Sequence, residues 1–299
     1  MNNFEIIALK DLTGIAKKVA LAFGKSVIFP KIHHFLDSEV LISFGEDEKL
    51  RGRRIFVVES VFSPIVENLF KTLLLVYELK QIGVKDVCII FPYLGYMRQD
   101  KAGGMKFVAQ MIQAAGASSV FIVEMHSENI KTFFSIPAYN ISLSSVIAKN
   151  IKKNFKDSKN LTLVSPDRGA KKRTQEVVSL LGCDMVVIEK KRIRQGQVEL
   201  VDMSGECLNK DLIIIDDIID SAGTAVAVSD RLLSCGAKSV SGYFVHPVFS
   251  NYGLANIKKS SFKRVFVSNT IPMVNSEQVD FIEIFDCVDS IIEKIRERV

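Results

Sequence analysis

Leu212-Ile213-Ile214-Ile215-Asp216-Asp217-Ile218-Ile219-Asp220-Ser221-Ala222-Gly223-Thr224 decides how this chain is read. An apolar run leads into two adjacent carboxylates, then into a short turn of small and hydroxyl residues ahead of a helical pattern from Ala225 to Leu233. The N–H groups of such a turn, at a helix N-terminus, converge on a phosphate and are favoured by the helix dipole. Two acids at a strand end take hydroxyls or Mg2+. The stretch predicts a sugar-phosphate site beyond the carboxyl end of a strand, where open α/β sheets hold ligands.

Outward from this loop, one unit recurs four times: a helix end, a glycine, a small or β-branched residue, two mostly polar positions, and a valine that starts a strand. The copies are Gly83-Val84-Lys85-Asp86-Val87, Gly116-Ala117-Ser118-Ser119-Val120, Gly182-Cys183-Asp184-Met185-Val186 and Gly236-Ala237-Lys238-Ser239-Val240. Glycine closes a helix in the left-handed conformation. The runs that follow, Val87 to Phe91, Val120 to Val123, Val186 to Ile188 and Val240 to Val245, are apolar on both faces and predict strands covered by helices on both sides. A doubly wound α/β fold with mostly parallel sheets is expected. Two copies lie on each side of the polar segment Lys149 to Asn160, so two similar domains are predicted rather than one large sheet.

The 299 residues suit two domains, and 48% hydrophobic with 24% charged residues describes a folded chain. A net charge of +5 over this length does not call for a nucleic-acid surface; a phosphorylated metabolite suffices. Cys88, Cys183, Cys207, Cys235 and Cys287 are scattered singly, without zinc spacing, which fits a reducing cytoplasm. Met1 to Gly24 lacks a signal-peptide core, and apolar runs such as Leu73 to Tyr77 are too short to span a bilayer. A soluble cytoplasmic protein that binds neither membrane nor nucleic acid is expected.

Four further clusters fall at predicted strand ends. Ser165-Pro166-Asp167-Arg168-Gly169 puts an acid where backbone can approach a ligand, or where its side chain caps the next helix. Glu124 and His126 follow the strand at Val120, on one strand face by the period of two. Pro92 to Asp100 joins tyrosines to Arg98, a guanidinium able to pair with phosphate and stack on rings. Lys190-Lys191-Arg192-Ile193-Arg194 is either a solvated face or a cationic flap over a polyphosphate. Phe35, flanked by Asp37 and Glu39, could stack on a purine, and a hairpin end with a core phenylalanine explains it equally.

Together these segments resemble one family. Pro92-Tyr93-Leu94-Gly95-Tyr96-Met97-Arg98-Gln99-Asp100 is similar to the PYYGYARQD segment of the ribose-phosphate diphosphokinases, also called phosphoribosyl pyrophosphate synthetases. His126 with Phe133-Phe134-Ser135-Ile136-Pro137 resembles their DLH and FFDIP stretches, Ser165 to Gly169 their SPDxG, and Val267 to Pro272 their TNTIP. The resemblance, from about Phe35 to Pro272, implies two type I phosphoribosyltransferase-like domains. These would be residues 1–147, completed by 286–299 and carrying the ATP segments, and residues 148–285, carrying the ribose 5-phosphate loop. It implies transfer of the diphosphoryl group of MgATP to the C1 hydroxyl of ribose 5-phosphate, giving AMP.

By matched position, Asp216 and Asp217 would hold ribose hydroxyls while Asp220, Ser221, Ala222, Gly223 and Thr224 cradle the 5-phosphate. Phe35, Asp37, Glu39, Arg98, Gln99, Asp100 and His126 would bind ATP, with Phe35, Asp37 and Glu39 reaching adenine across the interface of a homo-oligomer. His126 and Asp167, and Glu124 in place of the family's aspartate, would hold Mg2+. Lys190 and Arg192 would be the catalytic flap cations. The chain departs from the family at Glu124, at the shortened Lys101 to Lys106 loop and at Arg168, and resembles the short archaeal-like members. The alternatives are a phosphoribosyltransferase that consumes phosphoribosyl diphosphate, and a non-catalytic regulator of a synthetase.

Overall fold

The computed structural model describes residues 4–11, 13–45, 47–156, 160–194, 197–273 and 280–298. The chain divides into two compact units, one of Met1–Ser142 with Thr270–Pro272 and Val288–Val299, the other of Leu143–Asn269 with Met273–Cys287.

In the first unit β1 (Phe4–Ile7) leads through α1 (Ile15–Ala22) to the short β2 (Val27–Ile28) and an antiparallel hairpin of β3 (Lys31–His34) and β4 (Val40–Ser43). After the single-turn α2 (Asp47–Leu50), parallel strands alternate with helices: β5 (Arg54–Val58), α3 (Ile65–Ile82), β6 (Asp86–Phe91), α4 (Gly103–Ala114), β7 (Ser119–Val123) and β8 (Ala138–Ile141). The sheet order is β2-β1-β5-β6-β7-β8, all parallel.

The second unit opens with α5 (Ser144–Asn154), then β9 (Leu161–Ser165), α6 (Lys171–Leu181), β10 (Asp184–Arg194), β11 (Gln197–Ser204), β12 (Asp211–Ile219), α7 (Gly223–Ser234), β13 (Ser239–Pro247), α8 (Gly253–Lys258), β14 (Val265–Ser268) and β15 (Ile282–Phe285). Its sheet order is β11-β10-β9-β12-β13-β14-β15, with β11 the antiparallel edge. A last helix, α9 (Val288–Arg296), returns to the first unit, where Arg54 donates to the Arg298 carbonyl at 2.8 Å.

The expected doubly wound architecture is present, and its cause is legible strand by strand. Ser119–Val123 and Leu161–Ser165 are buried at every residue, as strands covered on both faces must be. Gly83 and Gly182 close α3 and α6 at φ of 88° and 68°, where a side chain would be strained. Four elements differ from the sequence expectation. β12 runs to Ile219, so Asp216 and Asp217 lie inside the strand instead of past its end. The Lys190–Arg194 flap is strand, β10 continuing antiparallel to β11. Phe35 caps a hairpin as one reading had it, yet it is 47% exposed and is not core. The strand before His126 stops at Val123, because Glu124 turns to φ 44°; the period of two therefore does not carry Glu124 and His126 onto one face, and Glu124 is buried while His126 is exposed.

Candidate functional site

In each sheet the chain order reverses beside its first strand, between β1 and β5 in one unit and between β9 and β12 in the other. Crevices open at the carboxyl ends of strands at such points.

At the second unit's reversal, Asp217 is buried, and Asp216 keeps 24% of its side chain accessible. Arg173, from the first turn of α6, sits between them, with Nη1 3.9 Å from Asp216 Oδ1 and 3.8 Å from Asp217 Oδ1. Burial, and then the neighbouring charges of Asp217 and Asp167, push the Asp216 carboxyl well above the ordinary aspartate range, against the pull of Arg173. Asp167 follows β9 and accepts the Ala170 N–H at 3.0 Å, so the helix-capping reading of this residue holds in part. Arg168 turns to Glu189 on β10, with Nη2 2.8 Å from Oε2.

β12 gives way to Asp220, Ser221 and Ala222, and α7 starts at Gly223. Ala222, at the N-cap of α7, sits at φ 62°, and its methyl side chain offers the helix start no acceptor. The first-turn amides lack intrahelical acceptors, and Ser221, Gly223 and Thr224 are exposed around them, the arrangement in which a helix start can take an anion. Sequence reasoning missed what holds this turn. Asp220 Oδ1 accepts both the N–H and the hydroxyl of Ser250, and Asn256 Nδ2 donates to the Ser221 carbonyl at 2.8 Å. Gly253 lies so close that a Cβ there would be 2.2 Å from the Asp220 carbonyl oxygen. The N–H groups of Val248 and Phe249 donate to Ile219 at 2.9 and 3.1 Å. The one available signal was the glycine at 253 after a strand end. Arg173 was missed as well, because a cation in a helix carries no motif of its own.

In the first unit the loops after β6 and β7 carry Arg98, Gln99, Asp100 and His126. Met97–Gln99 form a 3-10 turn entered through Tyr96 at φ 71°, and Arg98 and Gln99 are exposed. A Cβ at Gly104 would lie 2.0 Å from Gln99 Oε1, so this glycine admits the Gln99 side chain onto the start of α4. Asn129 Nδ2 donates to the Asp100 carbonyl at 3.0 Å, tying the two loops together at one edge of the sheet. Met125 N–H donates to Asn140 Oδ1 at 2.8 Å, fixing the backbone beside His126. At the hairpin tip, Phe35 N–H donates to the Glu39 carbonyl and Glu39 N–H to Asp37 Oδ1, and His33 meets the Phe35 ring edge-on at 4.8 Å. Phe35, Asp37 and Glu39 are thus gathered on one exposed turn.

Lys190 and Arg192 pair through their backbones with Leu200 and Val198. Their side chains lie outside the described residues.

Among the described residues no three of His, Cys, Asp or Glu come together as a metal site by themselves. Mg2+ is commonly held by only one or two carboxylates together with substrate phosphates. Hard oxygen donors whose mutual repulsion raises Asp216 are chemistry that a divalent cation relieves, so the acids at this edge fit Mg2+ supplied with a polyphosphate.

Two doubly wound units of mostly parallel strands, with a helix start behind a carboxylate pair in the second, define a protein of the phosphoribosyltransferase fold class. Residues 4–116 match the N-terminal domain of ribose phosphate pyrophosphokinase, and residues 137–281 match a phosphoribosyl transferase domain. The ribose-phosphate pyrophosphokinase of Fusobacterium nucleatum is 33% identical, over 100% of this chain and 95% of its own; that of Aquifex aeolicus is 32% identical, over 99% and 97%. The crystal structure of phosphoribosylpyrophosphate synthetase from Mycobacterium smegmatis shares the fold, with a TM-score of 0.88 over 98% of both chains at 24% identity. The chain belongs to the ribose-phosphate pyrophosphokinase family. No helix among the described residues is long and apolar enough to cross a membrane.

Proposed function

We propose that this chain transfers the diphosphoryl group of ATP to the C1 hydroxyl of ribose 5-phosphate, releasing AMP and 5-phosphoribosyl 1-diphosphate. The observation that carries the reading is the Asp216–Asp217 pair followed by a left-handed turn into the start of α7, in a chain of this family. Asp216 and Asp217 accept ribose hydroxyls, and the amides of Ser221 to Thr224 take the 5-phosphate, while Asp220 shapes the turn through Ser250. Arg173 holds the two carboxylates ready to accept by offsetting their repulsion.

In the same proposal the first unit takes ATP. Arg98 pairs with its phosphates, Gln99, Asp100 and His126 place it, and Phe35, Asp37 and Glu39 receive adenine from a neighbouring copy in a homo-oligomer. The domain assignment follows: residues 1–147 with 286–299 act on ATP, and 148–285 on ribose 5-phosphate. Mg2+, bound with ATP, would neutralise phosphate oxygens as charge shifts between them. Its proposed protein ligands are Asp167 and His126, with Glu124, buried and turned at positive φ, the weakest candidate. Lys190 and Arg192 supply the charge that stabilises the transferring group. Five thiols free of disulfides and an ATP substrate are consistent with a cytoplasmic setting.

The test is a product assay with ATP, Mg2+ and ribose 5-phosphate, with and without inorganic phosphate. AMP and phosphoribosyl diphosphate should form in equal amounts; a folded protein that forms no AMP would sink the proposal.

A further inference from the structure

The two chain reversals are counterparts, strand for strand: β1 corresponds to β9, and β5 to β12, by position in each sheet. Asp11 after β1 then corresponds to Asp167 after β9, and each accepts N–H groups at the start of the next helix; Asp11 takes those of Ala16 and Lys17, both at 3.1 Å. Glu59, immediately after β5, takes the position of the Asp216 carboxylate. Around Glu59 the first unit keeps a pocket of about 130 Å3, walled by Leu9, Ile32, Val58, Phe62 and Pro92, with polar groups from Lys10, Asp11, Thr13, Glu59, Ser60, Asn68 and Lys71.

The chemistry of that pocket differs from a phosphate site. Its nearest helix starts are closed to anions: the α1 amides already hold Asp11, and the first turn of α3 carries Glu67, paired with Lys71. Charges balance as Lys10 against Asp11 and Lys71 against Glu67. Burial pushes Glu59 up to about 8, so near neutral pH it is a neutral carboxyl group that donates as well as accepts, while the Leu9 N–H bonds one of its oxygens. An engineered cavity of about 150 Å3 admits a ring of six carbons, so the space suits about six heavy atoms, the whole of glycerol or one edge of a free sugar whose remainder stays outside. Hydroxyl groups, each both donor and acceptor, match interleaved donors and acceptors on an apolar floor.

We propose that the chain reversal of the first unit is a second ligand site, for the vicinal-diol edge of an uncharged polyol or free sugar, held by Glu59, Lys10, Asp11 and Thr13. The correspondence of Glu59 with Asp216 rests on the ribose reading of Asp216 and Asp217, whereas binding is read from amide signals without turnover, so the two can fail separately. Glycerol and D-ribose are titrated into the full-length protein saturated with ribose 5-phosphate, and backbone amide signals are followed residue by residue. Saturable shifts at Lys10, Glu59 and Ser60, with a dissociation constant of about 1–10 mM, are expected. Lys10→Met and Thr13→Val, one exposed and one at the pocket rim, should each weaken ribose roughly tenfold while the amide shifts that ribose 5-phosphate produces stay unchanged. Shifts confined to Asp216–Thr224, shifts that neither variant weakens, or no saturable shift at all would each overturn the proposal.

Discussion

The two chain reversals share a topology and diverge in what they do with a carboxyl group at the strand end. In the second unit two aspartates, a nearby third and an arginine crowd one edge, and the helix behind them opens on exposed Ser221, Gly223 and Thr224. In the first unit a single glutamate is neutralised by burial, and the start of α1 is filled by the chain's own Asp11. The fold supplies only a crevice, and the charge around it is set locally, by carboxyls crowded together in one unit and by a carboxyl held neutral through burial in the other.

The sharpest way to break this contrast is to remove the charge proposed for the transition state. Lys190→Ala should lower kcat by about 10²–10³-fold and change KM for either substrate by no more than about twofold, read by steady-state kinetics. Equal losses in binding and rate would remove the flap from the second unit's chemistry. Next comes the brace of the phosphate turn. Gly253→Ala drives a Cβ against the Asp220 carbonyl and should raise KM for ribose 5-phosphate by about tenfold, at a stability cost of about 1–3 kcal/mol measured by denaturant unfolding.

The carboxyls themselves give a smaller effect with opposite signs for function and stability. Asp216 has its folded pKa raised, so its contribution to stability is full at acid pH and is lost as pH rises through that value. Asp216→Asn should therefore lower ribose 5-phosphate turnover by about fivefold while gaining about 1 kcal/mol in stability at neutral and higher pH, and nothing at acid pH. Glu59→Gln should flatten the loss of stability that accompanies the rise from its ordinary value of 4.5 to about 8, with turnover retained. A variant at 59 that kills turnover would erase the distinction between the two edges. Smallest of all, Arg168→Gln removes the partner that holds Glu189 below the usual carboxylate range. That pair helps only above the carboxylate range and fades as pH falls, so the melting temperature should hardly move at neutral pH.

Much of the fold was legible because its signals are local. Four glycine units and doubly buried strands mark a covered parallel sheet, and the run from Leu212 to Thr224 marks the strand, turn and helix start within a few residues of where they lie. The site was legible only where chemistry sits on a strand end. Arg173 reaches Asp216 from a helix, and Ser250, Gly253 and Asn256 reach the Asp220–Ser221 turn from the loop and helix α8 that follow β13, contacts that no short pattern encodes. Glu124 misled for a related reason: periodicity assumes that a strand continues, and the backbone turns at that residue. Glu59 was silent, since a single acid after an apolar run carries no motif, and its neutral state arises from burial.

The close approach of Gly253 to Asp220 has a consequence for anyone wishing to move this function elsewhere. Residues 212–224 are not a transplantable part, because their shape is kept by a corner some thirty positions downstream, as the Ser250 bond to Asp220 shows. A graft into another α/β scaffold would have to carry the corner after β13 along with the loop, or it would deliver the right letters in the wrong shape.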